Sequence, residues 1–387
     1  MVKATVVGAG IAGLAVAVRL HRAGWAVQVL EQEAEVRTSG TAVVLHRATV
    51  RELRSLSLGP GIDALALPLT GLRLRTRTGL PLSPPSWPAS GSVLIERADL
   101  IGLLRDSLPS TALVLGHPLA ARDLSAACGE AAVVVGADGV HSALRQQLFG
   151  PAYRAASTGT TVWRGTAEVS TSGLTESWGR RRRFGISSRP GGGTNWYATA
   201  TLPSAGLAPA PSDLEELRRL FGHWGGAVAA TVARISEGSI LRHEIHHLAR
   251  RLPRYHQGNV ALIGDAAHAM TPDLGRGANE AILDAMSLVQ HLEAHDDVGS
   301  ALAAYDRSRR RVTQRIASGS LAVHTLIHGS PPHRQDRRPR AMTWDDEKDP
   351  PVPTYLEGSS LKRVHEGRVG EEHDDDAGSP EVDGRTS

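Results

Sequence analysis

Short apolar runs and a helical pattern alternate along the first thirty residues. Ala4–Val7 and Ala26–Leu30 are apolar runs of the length typical of buried parallel strands. Between them, Leu14–Ala23 has helical character, and Gly24 marks the end of the predicted helix. This order of elements predicts a βαβ unit with two parallel strands.

The same kinds of pattern return later in the chain. Ala131–Val135 and Asn259–Ile263 are apolar runs that predict two more buried strands. Arg97–Leu108, Glu280–Leu292 and Ser300–Ala317 have the character of helices. Strands that alternate with helices predict the α/β class, with a doubly wound, Rossmann-like sheet.

The pattern changes between residues 151 and 254. Stretches such as TGTTVWRGTAEV and GTNWYATATL alternate and carry β-branched and aromatic residues, which predicts a mostly antiparallel sheet. After residue 329 the chain is rich in proline and charged blocks and poor in aliphatic residues, which predicts a polar, disordered tail. We therefore predict three parts: a discontinuous dinucleotide-binding domain (1–70, 92–150 and 255–329), a substrate domain (71–91 and 151–254) and the tail (330–387).

Composition excludes several classes of protein. Hydrophobic residues make up 41% of the 387 residues, which is enough for a sizeable core. No stretch reaches the roughly 18 consecutive apolar residues of a membrane-spanning helix. The single cysteine, Cys128, excludes an intramolecular disulfide and a cysteine-rich zinc site. We expect a cytoplasmic protein without a transmembrane segment.

Charge gives little guidance to a partner. The 43 basic residues face 40 acidic residues, for a formal net charge of +3, and only three of the basic residues are lysines. Aromatic residues make up 4% of the chain, without the interleaved aromatic and basic repeats that stack bases. We therefore expect a small-molecule enzyme rather than a nucleic-acid-binding protein.

A glycine motif joins the first strand to the first helix. Gly8, Gly10 and Gly13 form GxGxxG, which permits a tight turn, close approach of a pyrophosphate, and close packing of helix against strand. The helix N-terminus then offers free N–H groups to the phosphates. Glu31 follows the second strand, where an acid binds a ribose hydroxyl. An acid here suits FAD or NAD rather than a 2′-phosphate.

Two later motifs distinguish between those cofactors. Asp138-Gly139 follows a predicted strand in VVVGADGVHSALRQQL, and Gly264-Asp265 precedes Pro272, Gly275 and Gly277 in residues 259–292. In their order and spacing, the three motifs resemble the single-component FAD-dependent aromatic hydroxylases. These group A flavoprotein monooxygenases include para-hydroxybenzoate, salicylate and tetracycline hydroxylases, and the resemblance covers residues 1–325.

The resemblance implies specific cofactor contacts. Asp265 matches an acid that binds a ribityl hydroxyl of FAD, and Arg97 matches an arginine that contacts the pyrophosphate. Arg37 lies where relatives place an arginine near the nicotinamide nucleotide. The full predicted set of cofactor-binding residues is Gly8, Gly10, Gly13, Glu31, Arg37, Arg97, Asp138, Asp265, Gly275, Gly277 and Asn279.

The segment Pro272–Asn279 matches the loop and helix start that face the flavin ring. We assign Pro272 and Arg276 to the catalytic surroundings of the flavin. The family usually has Asn and Gln where this chain has Asp273 and Arg276, so Arg276 would add positive charge beside the flavin and Asp273 would oppose it. Asp138 belongs to a motif that relatives use for FAD and NAD(P)H, with Arg145 as its expected partner.

Substrate contacts are expected from the second sheet. Arg164, Tyr197 and His243 are the predicted substrate-binding residues. His243–His247 also matches HExxH, but the flanking residues fit no amphipathic helix and the family has an edge strand here, so we predict no metal site. The run Arg180–Arg183 is interpreted as a solvated hairpin turn, and the tryptophans of this region as core residues.

The resemblance implies a monooxygenase that hydroxylates an aromatic or polyketide-like small molecule. NADPH or NADH reduces FAD, and a flavin hydroperoxide formed with dioxygen transfers one oxygen atom. Two alternatives stay open: an FAD-dependent oxidase or dehydrogenase on the same scaffold, and a non-catalytic FAD-binding protein. Asp273, Arg276 and a region at 108–131 that is shorter than in most relatives keep the last alternative open. We expect a monomer or homodimer.

Overall fold

The computed structural model describes residues 1–69, 71–82, 91–118, 129–202 and 210–329. Residues 119–128 of the shortened 108–131 region, Cys128 among them, and the predicted tail lie outside these ranges. The strands of the described residues are β1 (Lys3–Val7), β2 (Ala26–Leu30), β3 (Ala42–Leu45), β4 (Leu67–Pro68), β5 (Leu72–Thr76), β6 (Val93–Glu96), β7 (Leu113–Val114), β8 (Val133–Gly136), β9 (Ala156–Ala167), β10 (Leu174–Gly179), β11 (Arg182–Ser188), β12 (Thr194–Ala200), β13 (Leu241–His247), β14 (His256–Gln257) and β15 (Val260–Leu262).

Helices flank these strands. The α-helices of the described residues are α1 (Ile11–Arg22), α2 (Arg47–Ser55), α3 (Gly59–Leu65), α4 (Arg97–Arg105), α5 (Ala143–Phe149), α6 (Asp213–Phe221), α7 (Ala227–Val232), α8 (Asp265–His268), α9 (Gly277–Ala294) and α10 (Val298–His328). Short 3₁₀ turns lie at Ser110–Ala112, Pro151–Tyr153, Glu237–Ser239 and Pro272–Leu274.

The first sheet confirms the predicted Rossmann-like architecture. Its strands run in the order β14-β15-β8-β1-β2-β7, and every pairing except β14 with β15 is parallel. Strand β1 lies at the point where the strand order reverses: β2 and β7 lie on one side of it, and β8 and β15 lie on the other. In doubly wound sheets ligands bind at the carboxyl ends of the strands on either side of such a switch point.

The second sheet is mostly antiparallel, as its alternating pattern predicted. Its order is β13-β9-β12-β11-β10-β5, with only β10 and β5 parallel. One face carries Trp163, Trp196 and Phe184, which are fully buried in a core with residues of α6 and α7. This confirms the interpretation of these tryptophans as core residues. The opposite face, which we call the polar face, carries Arg164, Tyr197, Arg183 and Glu176.

A small third sheet, in the order β3-β6-β4, connects the other two. Glu96, the last residue of β6, accepts a hydrogen bond of 2.7 Å from the side chain of Asn195 on β12. Arg97 follows directly and begins α4. Arg97 therefore follows the residue through which the third sheet contacts the second sheet.

Two sequence-based expectations differ from the structure. Arg180 and Arg181 do form an exposed turn between β10 and β11, but Arg183 belongs to β11 and is only 1% exposed, so the interpretation as solvated is wrong for Arg183. Two buried carboxylates, described below, hold its charge. The second difference is α10, which runs eleven residues past the predicted end at Ala317.

All of the described residues belong to one compact unit, Met1–Pro350. The proposed division into a dinucleotide-binding and a substrate domain stays a prediction. Within the described ranges, no helix is both long and apolar enough to cross a membrane.

Candidate active site

The parallel strands of the first sheet bring the separate sequence motifs together. Gly8 follows β1, Glu31 follows β2, Asp138 lies two residues after β8, and Gly264-Asp265 follows β15. Because parallel strands end on the same edge of a sheet, motifs that are far apart in sequence lie beside the same crevice.

The three glycines after β1 have different physical roles. Gly8 has φ of +102°, and a Cβ there would lie 2.5 Å from the carbonyl oxygen of Ala137. A Cβ on Gly13 would lie 1.8 Å from the carbonyl oxygen of Gly8, so only glycine lets α1 pack this closely. A Cβ on Gly10, by contrast, would meet nothing within 4 Å. Gly10 also caps α1 without a side-chain hydrogen bond, which leaves N–H groups directed at open space.

Glu31 supports this loop. One of its carboxylate oxygens accepts a hydrogen bond from the N–H of Ala9 at 2.7 Å, and the other accepts from the N–H of Glu33 at 3.1 Å. The predicted ribose contact would have to use the remaining lone pairs. Glu31 therefore helps to shape the glycine loop in addition to its predicted role.

Asp265 and Arg97 form an open pair of opposite charges. The Asp265 side chain is accessible to solvent although protein surrounds it, an arrangement found in the wall of a cleft. Burial raises the pKa of Asp265, while His268 and Arg97 oppose the rise. Burial lowers the pKa of Arg97, and Asp265 opposes that shift. The two charges stabilise each other without a direct ion pair.

Arg145 holds the backbone of the Asp265 turn. It is fully buried and donates from Nη1 to the carbonyl oxygens of Asp265 and Ala266, each at 3.2 Å. The expected hydrogen bond from Arg145 to Asp138 is not formed. Instead, Asp138 accepts from the N–H of Leu144 at 3.0 Å and caps α5, while its charge only raises the pKa of Arg145 against the effect of burial.

The segment that precedes α9 forms the next wall of the crevice. Pro272–Leu274 is a 3₁₀ turn, and Gly275 is left-handed with φ of +61°. A Cβ on Gly275 or Gly277 would meet nothing within 4 Å, so both glycines border open space. We call residues 272–277 the ring loop.

Asn279 fixes the ring loop from behind. Its amide donates to the carbonyl oxygens of Val44 and Gly275, and its Oδ1 accepts from the N–H of His46 at 2.8 Å. Because the side chain is fully buried in these contacts, we assign Asn279 to the support of the loop rather than to direct contact with a cofactor. Burial, and then Arg276, lowers the pKa of His46 to about 4, so its ring is neutral.

The charges of Arg276 and Asp273 are both compensated inside the protein. Arg276 forms an ion pair with the buried Glu280. Asp273 forms an ion pair with Arg183 at 3.1 Å and accepts from His324 Nδ1 at 3.0 Å. Burial alone would raise the pKa of Asp273, but Arg183 and His324 hold it well below its ordinary value. Any opposition of Asp273 to Arg276 therefore comes from a charge that Arg183 and His324 already compensate.

The Asp273–Arg183 pair continues across the polar face. Arg183 Nη1 lies 3.7 Å from the carboxylate of Glu176, and Tyr197 donates a short hydrogen bond from its hydroxyl to the same carboxylate. Burial, and then Glu176, raises the pKa of Tyr197 well above 10. A continuous polar network thus joins the ring loop to the second sheet.

Comparisons with known proteins agree with this geometry. The family model described as FAD binding domain matches residues 1–132 and 129–320. Aurachin C monooxygenase/isomerase from Stigmatella aurantiaca is 30% identical over 82% of this chain and 88% of that protein. The chain belongs to the FAD-dependent aromatic hydroxylases. It is an FAD-dependent monooxygenase, with NAD(P)H as co-substrate.

Two further relatives extend the comparison. The 3-amino-4-hydroxybenzoate 2-monooxygenase of Streptomyces cremeus is 33% identical over 92% of this hydroxylase and 94% of that protein. The crystal structure of Klebsiella pneumoniae HpxO with FAD and uric acid has the same fold, with a TM-score of 0.75 at 24% identity over 85% of this chain and 89% of that one. The open space beside Gly10, Gly275 and Gly277 and the accessible Asp265 fit FAD.

Arg37 lies apart from the rest of the predicted cofactor contacts. Its side chain is 71% exposed and forms an ion pair with Glu33 at 2.5 Å. Among the described residues, it forms no hydrogen bond or ion pair with the glycine loop, the ring loop or Asp265. Its predicted role with the nicotinamide nucleotide stays a prediction.

The predicted substrate residues lie on the polar face. Tyr197 pairs directly with Arg164 across β12 and β9, so their side chains are neighbours. Arg164 Nη2 lies 2.8 Å from Nε2 of His243 on β13. The structure thus brings Arg164, Tyr197 and His243 to one region of one sheet, where the charge of Arg97 acts on Arg164.

Histidines of the enzyme that could suggest a metal have other partners. His243 and His247 of the HExxH match lie on the edge strand β13, as the resemblance implied, rather than on a helix. Asp273, His324 and His328 could surround an ion, but both ring nitrogens of each histidine already have partners. These partners are Asp273 and Thr160 for His324, and the carbonyl oxygen of Arg181 and Thr199 for His328.

Sequence reasoning missed a second buried network behind the Asp265 turn. Asp284 accepts from the N–H of Gly264 at 3.0 Å, from His268 at 2.5 Å and from Arg309 at 2.7 Å. Burial would lower the pKa of His268, but Asp284 outweighs it and raises the pKa. Asp284 and His268 are buried, and the pattern of helices and strands in the sequence does not predict that they are in contact. The one available signal was a polar residue at a predicted core position of α9.

Proposed function

We propose that the enzyme hydroxylates an electron-rich aromatic or polyketide-like small molecule. The similar proteins are named for aurachin C and for 3-amino-4-hydroxybenzoate, which supports a ring as the site of oxygenation. In the proposed reaction an Ar–H bond becomes Ar–OH. Dioxygen supplies that oxygen atom, its second atom leaves as water, and NAD(P)H with one proton supplies the two electrons and two hydrogens.

One observation carries the proposal. The buried ion pair between Asp273 and Arg183 connects the ring loop to the polar face of the second sheet. A small molecule held between them would lie beside the flavin and away from bulk water. Water exclusion matters in such a site, because it protects a reactive oxygen species from decay.

When bound, FAD supplies the redox chemistry between NAD(P)H and dioxygen. The glycine loop around Gly10 and the N-terminus of α1 would hold its pyrophosphate, with Arg97 as a second source of positive charge. Asp265 would bind a ribityl hydroxyl. Gly275 and Gly277 would let the backbone approach the ring, and the N-terminus of α9 would stabilise negative charge on reduced flavin.

Arg276 contributes less charge than its position alone indicates. Its partner Glu280 also binds Arg309, so two guanidinium groups share one buried carboxylate. Arg309 also pairs with Asp284, so these two guanidinium groups face two carboxylates and their charges balance. The exposed Pro272 would bound the substrate space on that side.

The test is the fate of labelled oxygen. The FAD-loaded full chain is incubated with NADPH or NADH, ¹⁸O₂ and a panel of aromatic acids, phenols and quinolones, and products are analysed by mass spectrometry. We expect one labelled atom in the product and NAD(P)H consumption that depends on substrate. Peroxide formation in equal amount to NAD(P)H consumed, without labelled product from any compound, would instead support the oxidase alternative.

Several finer expectations accompany this proposal. We propose that the chain acts in the cytoplasm as a monomer or homodimer, and that its two sheets mark an FAD-binding and a substrate domain. A chain that cannot bind FAD would contradict the whole proposal. FAD binding without any NAD(P)H oxidation would support the non-catalytic alternative.

A further inference from the structure

Arg164 is an enclosed arginine without a carboxylate partner. Two other enclosed arginines have such partners, since Arg183 pairs with Asp273 and Arg309 pairs with Asp284. The buried Arg145 instead donates to backbone carbonyl oxygens. In the part of the chain that the structure describes, neither Arg164 nor Arg97 forms an ion pair. Burial, and then the charge of Arg97, lowers the pKa of Arg164 to about 10. The positive charges of Arg164 and Arg97 therefore lie close together, and Asp265 partly offsets that of Arg97.

The neighbour of Arg164 adds a further hydrogen-bond donor. A guanidinium group has only donors, so Nε2 of His243, at 2.8 Å from Arg164 Nη2, must accept. The ring proton of neutral His243 is then on Nδ1. Burial, Arg164 and His246 lower the pKa of His243 to about 4, which agrees with a neutral ring. His243 Nδ1–H remains as a donor.

One donor of Arg164 is buried and unused. Its Nε has no hydrogen-bond partner among the described residues and almost no exposed surface. Leaving a buried charged donor unpaired is costly, and it is the exception in folded proteins. Arg164 and His243 Nδ1–H, with the charge of Arg97 acting on Arg164, form a cluster that can donate but not accept. The chemical complement of such a cluster is an oxyanion.

The position of the cluster indicates which molecule carries that oxyanion. The charge of Asp265, the expected ribityl contact, acts on Arg97, so bound FAD would satisfy Arg97. Arg164 instead lies opposite Tyr197 on the polar face, and its partner His243 lies on the exposed edge strand β13. Arg164 is only partly buried and His243 is exposed, so a second molecule can reach this pair from solvent.

We propose that Arg164 and His243 form a binding site for an oxyanion of a second small molecule beside FAD. Two reactants of the proposed function can supply it: an aromatic acid through its carboxylate, or the nicotinamide nucleotide through a phosphate. The inference rests on the proposed function for the identity of these molecules, but the recognition itself is a property of the cluster.

Binding without turnover tests the site. Arg164→Gln and Arg234→Gln are prepared as FAD-loaded full chains. Arg234 is exposed and lies just beyond α7, so its variant loses the same charge at a position outside the proposed site. The wild type and both variants are titrated with 3-amino-4-hydroxybenzoate and its carboxamide, and with NADP⁺, NAD⁺ and nicotinamide. The change in absorbance of the bound flavin gives each dissociation constant.

We expect Arg164→Gln to weaken one class of anionic probe by roughly tenfold to a hundredfold, which is the loss of a charge-assisted hydrogen bond. The uncharged carboxamide and nicotinamide should change less than about threefold, as should all probes with Arg234→Gln. A loss confined to the benzoate assigns the site to the substrate carboxylate. A loss confined to the nucleotides assigns it to a phosphate.

Other outcomes would overturn the proposal. One is that Arg164→Gln weakens FAD itself, measured by flavin fluorescence, as much as it weakens the probes; Arg164 would then be a ligand of the cofactor phosphates. Another is that the wild type binds neither class of anion, or that charged and uncharged probes weaken alike. Failure of the labelled-oxygen experiment is a separate result, because binding needs no turnover.

Discussion

At the scale of single residues, the glycines of the GxGxxG motif meet two different requirements: packing of the protein itself and space for a ligand. Gly13 is required by the protein itself, since a Cβ there would overlap the carbonyl oxygen of Gly8 at 1.8 Å. Gly10 borders open space and has φ of −76°, which any residue can adopt. Its lack of a side chain matters only if something else occupies that space.

Substitution by alanine should therefore affect folding stability at Gly13 and FAD affinity at Gly10. Gly13→Ala should lower the free energy of unfolding of the FAD-free chain by about 1–3 kcal/mol, because helix and strand must separate. Gly10→Ala should change it by less than about 1 kcal/mol, yet raise the dissociation constant of FAD about tenfold or more, because the methyl group intrudes on the pyrophosphate. Denaturant unfolding and flavin fluorescence measure the two effects.

Each variant serves as the control of the other. An unchanged FAD affinity in Gly10→Ala would show that the pyrophosphate does not approach this residue. Equal losses of stability in both variants would contradict the distinction between packing and binding.

At the scale of elements, the structure shows which predictions local sequence can make. Strand β2 and the glycine turn were predicted correctly, because apolar runs and glycines act over a few residues. The predicted end of α10 at Ala317 lies directly before Ser318-Gly319-Ser320, which interrupts the apolar pattern. The helix continues because Ser320 and Thr271 exchange hydrogen bonds and because His324 reaches Asp273, which lies 51 residues earlier.

The site residues divide in the same way. Motif positions such as Asp265 were found through resemblance, whereas the partners of Asp273 were not. Its charge is held by Arg183, which the sequence places in an arginine run typical of a solvated turn. No local pattern indicates that alternate residues of that run face opposite sides of a buried strand until the sheet is paired.

His328, in the last turn of α10, makes the free energy of folding depend on pH. Burial, and then His324, lowers the pKa of His328 to about 3. In the unfolded chain an ordinary histidine has a pKa near 6.5, so between about pH 6.5 and 3 the unfolded state binds a proton that the folded state does not. This histidine therefore makes folding less favourable as the pH falls through that window, and has no such effect above it.

Replacement of His328 should remove that slope. We expect the stability of His328→Asn to fall less steeply than that of the wild type between pH 6.5 and 4.5, by up to about 1.4 kcal/mol per pH unit. The exposed His21 provides the control, since His21→Asn should leave the slope unchanged. Denaturant unfolding at several pH values measures both. Parallel curves for the wild type and His328→Asn would contradict a neutral buried His328.

At the scale of the whole molecule, two hydrophobic cores meet through charged groups. One core packs around the first sheet, and the other packs behind the second sheet. Between them lie the ring loop and the polar face, which the Asp273–Arg183 pair joins. A buried ion pair adds little net stability, because desolvation offsets the attraction. Its value to this enzyme is that it fixes the ring loop relative to the sheet.

A double-mutant cycle tests this link. Arg183→Met leaves Asp273 with His324 alone, and Asp273→Asn leaves Arg183 with Glu176 at 3.7 Å. Each single change should cost about 3–5 kcal/mol, because one buried charge loses its partner. The double variant should be less destabilised than the sum of the singles by about 1–3 kcal/mol. Denaturant unfolding of the FAD-free chain gives all four free energies.

An exposed pair provides the matched control for that cycle. Arg54 and Asp63 lie 2.5 Å apart with side chains 53% and 58% exposed, and their cycle should give a coupling within about 0.5 kcal/mol of zero because water screens both charges. The double variant of Arg183 and Asp273 should also bind FAD, but it should lose substrate-dependent control of NAD(P)H oxidation because the ring loop is no longer tied to the polar face. Strict additivity at Arg183 and Asp273 would mean that the two sheets are held together by other contacts.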